Sequence, residues 1–118
     1  MINFCVSLTT LPTRIGNIKK TIDSIKNQTI KPSKIFLNLP YKFKRFPSYE
    51  FNQKQLYDLE KLDVEIKRCD DYGPSTKLMG SLNQIKNFDC VVILDDDHIY
   101  HKEIFEIFIN EFKKNRNN

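Results

Sequence analysis

Apolar positions along the chain follow two rhythms that exchange with each other. Ile2, Phe4, Val6 and Leu8 alternate with Asn3, Cys5 and Ser7, the two-residue period of a strand that stops at Thr9-Thr10-Leu11-Pro12. From Thr13 the spacing changes: Ile15, Ile18, Ile22 and Ile25 recur at helical intervals with Arg14, Lys19, Lys20 and Asp23 between them. Lys34 to Leu39 reads as a second strand closed by Pro40, residues 41–49 as a loop, and Leu56, Leu59 and Leu62 as a short helix. Val64 to Lys67 is the third strand. Asp70-Asp71-Tyr72-Gly73-Pro74 marks a turn, after which Ser75 or Thr76 is expected to cap a helix carrying Leu78, Met79, Leu82 and Ile85. A fourth strand at 89–94 precedes a last helix carrying Ile104, Phe105, Phe108, Ile109 and Phe112. Strands and helices alternate throughout, so the expected class is α/β: a mostly parallel sheet flanked by helices, with ligands beyond the carboxyl ends of the strands.

Polar clusters fall at three of those ends: Thr9 to Arg14, Asp70 to Lys77, and Asp95 to Asp97. The third is the most demanding. The apolar run Val91-Val92-Ile93-Leu94 ends in Asp95-Asp96-Asp97, three adjacent like charges that need a cation or several hydrogen-bond donors. A metal site at the end of a strand is the first expectation, and Asp97 as a simple helix cap with the other acids solvated is the plainer one.

Composition narrows the remaining choices. At 118 residues and 40% apolar content, one domain over 1–118 is expected. The formal charge of +4 is too mild to indicate nucleic acid. Cys5, Cys69 and Cys90 have no metal-ligand spacing and read as free thiols in a reducing compartment. The opening Met1-Ile2-Asn3-Phe4 lacks a basic, apolar leader pattern, and no run approaches about 18 apolar residues. The expectation is a cytosolic protein without a membrane segment.

The segments Val6-Ser7-Leu8-Thr9-Thr10-Leu11-Pro12-Thr13-Arg14, Asp71-Tyr72-Gly73-Pro74-Ser75-Thr76-Lys77-Leu78 and Leu94-Asp95-Asp96-Asp97-His98-Ile99-Tyr100 together resemble the nucleotide-sugar glycosyltransferases of the GT-A fold. The family 2-like enzymes and the viral capsid-glycosylating transferases are the nearest in kind, and a viral member would work in the host cytoplasm. The resemblance covers the Rossmann-like, nucleotide-binding half of such a domain, so the chain is expected to be that half, truncated at its C-terminus. It implies Mn²⁺ or Mg²⁺ held by Asp97, ribose hydroxyls met by Asp96, and Asp95 serving the nucleotide or orienting its neighbours. Thr9, Pro12 and Arg14 would lie near the nucleotide, Asp71 would accept from the base, and Lys77 would reach the diphosphate. The donor would be a UDP-sugar by default, or a GDP-sugar, with a glycan or protein acceptor. One departure stands out: Asn38-Leu39-Pro40 occupies the place where many relatives carry a base-holding acid.

Plainer roles compete at each position. Arg14 suits a helix start, Lys77 suits solvent, and His98 and His101 suit the surface better than a metal. Tyr41-Lys42-Phe43-Lys44-Arg45-Phe46 could stack on bases, but is expected to fold its rings onto the sheet edge and leave its cations wet. Two other functions are also open. One is a non-catalytic nucleotide- or metal-binding half-domain that needs a partner chain or an oligomer. The other is a haloacid-dehalogenase-like phosphatase using Asp95 and Asp97, weakened because only 23 residues follow Asp95.

Overall fold

The computed structural model describes residues 2–116; Met1, Asn117, Asn118 and the side chain of Arg116 in the C-terminal basic run lie outside the described residues. Four strands, β1 (Phe4–Thr9), β2 (Lys34–Pro40), β3 (Glu65–Cys69) and β4 (Cys90–Ile93), form one sheet in the order β3-β2-β1-β4. Every neighbouring pair is parallel, with Val6 beside both Ile35 and Val92, and Leu37 beside Ile66. Parallel neighbours need crossovers, and these are the helices α1 (Ile15–Lys26), α2 (Gln53–Glu60), α3 (Thr76–Met79) and α4 (Leu82–Ile85). A fifth helix, α5 (Ile104–Arg116), follows the last strand. The fold is thus α/β and Rossmann-like, with its four strands within two residues of their expected limits.

Alternation along the strands decides what each face of the sheet meets. Phe4, Val6 and Leu8 of β1, Ile35, Leu37 and Leu39 of β2, and Val92 of β4 join Ile18, Ile22 and Ile25 of α1, Leu59 of α2, and Phe105 and Ile109 of α5 in one buried cluster. Ile18, Ile22, Ile25 and Leu59 are each at most 1% exposed, so burial of this stripe is the main stabilising term on that face. Phe4 and Phe105 meet edge to face at 5.6 Å, which fixes α5 against β1. The start of α2 is closed by an Asn52–Gln55 capping box, in which each side chain meets the other's backbone N–H. Among the described residues, no helix is long and apolar enough to cross a membrane.

The opposite face departs from expectation. One continuous helix over 76–85 is replaced by α3 and α4, broken at Gly80-Ser81. The cause is a buried polar network on the sheet. Ser7 Oγ lies 2.7 Å from Ser81 Oγ, while Asn38 Nδ2 donates to the Thr76 carbonyl at 3.0 Å and to Ser81 Oγ at 3.3 Å. Drawing Ser81 inward turns the helix apart and leaves Met79 and Leu82 partly exposed. The expected Ser75 or Thr76 cap is also not made; Thr76 Oγ1 instead accepts the Tyr72 N–H.

Gly80 makes this packing possible. A Cβ there would lie 2.6 Å from Asn38 Cβ and 2.7 Å from its Cγ, and Asn38 is fully buried and held by its hydrogen bonds. Gly80→Ala should therefore lower stability by about 1–3 kcal/mol through overpacking. Urea unfolding would show this as a lower midpoint with an unchanged slope; an unmoved midpoint would mean that Asn38 yields freely.

Candidate functional site

From β1 the chain crosses by α1 to β2 and then to β3 on one side, and returns through α3 and α4 to β4 on the other side of β1. The topological switch therefore lies between β1 and β4, where open α/β sheets leave a crevice beyond the strand ends. A cleft of about 490 Å³ opens there. Thr9, Arg14, Asp71, Lys77, Asp95 and Asp96 line it, so six of the eight expected site residues converge although they come from three separate segments, after β1, β3 and β4. Pro12 and Asp97 are not part of the lining.

The three acids have separate fates because the β4 alternation continues past the end of the strand. Val92, Leu94 and Asp96 are buried, whereas Asp95 and Asp97 are exposed. Asp96 accepts from Thr10 Oγ1 at 2.6 Å and from an Arg14 guanidinium N–H at 3.0 Å, and its backbone carbonyl accepts from Thr21 Oγ1 at 2.9 Å. These bonds tie β4 to the β1 loop and to α1. The 3-10 turn Pro12–Arg14 aims Arg14 at Asp96, which is how Pro12 serves the site from outside the cleft. Half of the Arg14 side chain stays exposed, leaving guanidinium donors for a ligand.

Asp95 turns the other way and meets Lys77 Nζ at 2.9 Å. That ammonium holds the Asp95 carboxyl below the usual carboxylate range. A folded value below the unfolded one means that the stabilisation is complete above about pH 4 and is lost as pH falls through the depressed value. Because Asp95 is half exposed, solvent keeps the effect small. Acid titrations of stability should fall more steeply for wild type than for Lys77→Ala; parallel curves would contradict this.

Asp95, Asp97 and His98 bring one ligand atom each to within 4.8 Å of one another, all three exposed. His98 Nε2 lies 3.5 Å from Asp97 Oδ1, so this exposed histidine, for which the sequence offered a surface role ahead of a ligand's, stands beside the acid. His101 lies apart from this group, with Nδ1 accepting the Glu103 N–H. Tyr100 organises the loop: its hydroxyl accepts from the Asp95 N–H at 3.0 Å and donates to the Asp95 carbonyl at 3.1 Å. Burial pushes the Tyr100 phenol up from its ordinary value. Asp97 does not cap a helix, because α5 begins only at Ile104.

On the β2 and β3 side, Asp71 braces two loops. Its Oδ2 accepts from the Lys44 N–H and its Oδ1 from the Gly73 N–H, both at 2.8 Å. Gly73 takes φ +61°, a left-handed conformation that glycine adopts without strain. The aromatic loop reaches the cleft through Phe43, Arg45 and Phe46; Phe43 is folded into the core as expected, whereas Phe46 stays exposed. Asn38 faces the internal network, and Thr9 Oγ1 donates to the Asn38 carbonyl.

Sequence reasoning missed the roles of Thr10, Thr21, Ser24 and Tyr100, whose hydroxyls hold the acid loop. Counting by twos from Val92 would have shown that Asp96 turns inward and needs such donors. Around the cleft the charges of Arg14, Arg45 and Lys77 balance those of Asp71, Asp95 and Asp96. A larger cleft, about 610 Å³, lies by the amino ends of β2 and β3 between Lys31 and Glu65, where Lys26, Lys31 and Lys34 are engaged by neighbouring carbonyls or carboxylates. Comparison with protein-family models finds no match, and comparison with curated proteins finds none either.

Proposed function

We propose that the chain binds a nucleoside-diphosphate sugar together with Mn²⁺ or Mg²⁺ in the switch-point cleft and transfers the glycosyl group to an acceptor hydroxyl, as a glycosyltransferase-type domain of GT-A kind. The observation that carries this reading is the cleft's two-ended character. Arg14 and Lys77, held by Asp96 and Asp95, form an ionic end beside β1 and β4, and Phe46 with Arg45 forms an aromatic end beside β2. A ligand with a polyanion at one end and a planar ring at the other matches that division. The ionic end follows β1 and β4 and the aromatic end follows the neighbouring β2, so both ends open on one cleft.

The donor set fits the ion. Asp97, Asp95 and His98 are mostly hard oxygen ligands with one imidazole, which suits Mn²⁺ well and Mg²⁺ through the carboxylates. Bound there, the ion would act as a Lewis acid on the departing diphosphate. Since the cations and carboxylates lining the cleft cancel, the charge of an entering diphosphate is left for the dication to offset. Arg14 would donate its remaining N–H groups to a phosphate oxygen, and Lys77 would add a cation on the other flank. Asp96, on the cleft floor, orients Arg14, and its contact to the ribose is proposed from that position. Asp71 would meet the base with lone pairs left free by its two backbone bonds. The free thiols of Cys5 and Cys69 favour a reducing compartment such as the cytosol.

A binding module without turnover is the second reading. It is favoured by the acids of the cleft: Asp71, Asp95 and Asp96 each already have protein partners, so none stands free as a base. Calorimetric titration with UDP and GDP, with and without Mn²⁺, tests the shared premise. Metal-dependent binding is expected; no binding under any of these conditions rejects both readings. Release of nucleoside diphosphate from a UDP- or GDP-sugar then separates them, since binding without release leaves the module.

A further inference from the structure

Phe46 is an aromatic ring held out into the cleft, and its setting shows why it stays there. It is 37% exposed while the loop around it is firmly anchored. One face stacks on Tyr49 with centroids 4.7 Å apart and planes 16° from parallel. Tyr49 in turn meets Phe43 at 6.2 Å, and Phe43 packs against Phe51 at 5.9 Å, both of them buried in the core. The loop is pinned at two further points: the Tyr41 N–H donates to the Cys69 carbonyl, and the Lys44 N–H donates to Asp71. The result is a rigid stack that begins in the core and ends in an open ring. The Arg45 guanidinium lies over the ring 5.5 Å from its centroid, a loose contact on an exposed side chain. Tyr41, Tyr57 and Tyr72 are more exposed but do not line the cleft.

We propose that Phe46 is the positioning residue for the nucleobase: the base displaces Arg45, lies on the free face of the ring, and thereby sets the diphosphate against Arg14 and Lys77. This rests on the nucleotide reading above and adds to it the group that holds the base. Stacking of this kind accepts uracil or guanine alike, because each offers a ring face. It also answers the Asn38-Leu39-Pro40 departure, since a platform on the loop after β2 can anchor a base where no acid follows that strand.

The chain contains no tryptophan, so Phe46→Trp introduces a single reporter. Its fluorescence should be quenched by UDP or GDP with Mn²⁺ and left unchanged by inorganic pyrophosphate with Mn²⁺. Calorimetry on Phe46→Ala should show affinity for both nucleotides lowered about five- to hundredfold, the usual effect of losing one base stack, with pyrophosphate binding unchanged. Nucleotide binding by Phe46→Ala equal to wild type, or equal quenching by pyrophosphate, would overturn this assignment and leave the cleft's nucleotide role intact. A wild type that binds neither nucleotides nor pyrophosphate would overturn both.

Discussion

Asp96→Ala is expected to destabilise the fold by about 2–4 kcal/mol, the range for breaking a buried charge pair whose cationic partner is half exposed. Asp96 is 5% exposed and is the single acceptor shared by Thr10 Oγ1 and Arg14. Its removal strands a buried hydroxyl and frees the guanidinium that orders the β1 loop. Asp96→Asn keeps the shape and one acceptor oxygen, so it should lose less, chiefly the charged bond to Arg14. Urea unfolding of the two variants beside wild type decides the matter. Equal, small losses would mean that the Asp96 side chain bears little of the connection between β4 and the β1 loop.

Asp97→Ala should behave in the opposite way. The Asp97 side chain is 62% exposed and meets His98 Nε2 at 3.5 Å, so the fold should change by less than about 0.5 kcal/mol. Metal-dependent nucleotide binding, however, should fall at least about tenfold, since even groups that only orient a metal ligand cost that much when removed. Adjacent carboxylates would then have separable duties, one in stability and one in binding. Binding titrations with Mn²⁺ present, paired with unfolding curves, read the two effects separately. Unchanged affinity in Asp97→Ala would move the ion away from this loop.

Much of the sheet is legible because the strand alternation and the α1 isoleucine stripe are local signals. Val6, Leu8, Ile18 and Ile22 need only their own segment to declare a face. The convergence of Arg14, Lys77 and the acids also follows from local information, given that parallel strands gather their carboxyl ends on one side. What could not be read depends on contacts between distant segments. The break at Gly80 arises from Ser7 and Asn38, residues 73 and 42 positions earlier, and no periodicity within 76–85 reveals it. Likewise, the sequence offers His98 and Phe46 both a plain and a site role, and only placing their loops decides between them, putting one beside Asp97 and the other in the lining of the cleft.

The most direct measurement of the central claim is amide NMR of the isotope-labelled chain titrated with UDP and Mg²⁺. The account predicts shifts confined to residues 9–14, 44–46, 71–77 and 94–98, the loops around the switch-point cleft. Shifts centred on residues 31–35 and 63–65 at the opposite end of the sheet, or no shifts at saturating nucleotide, would contradict it.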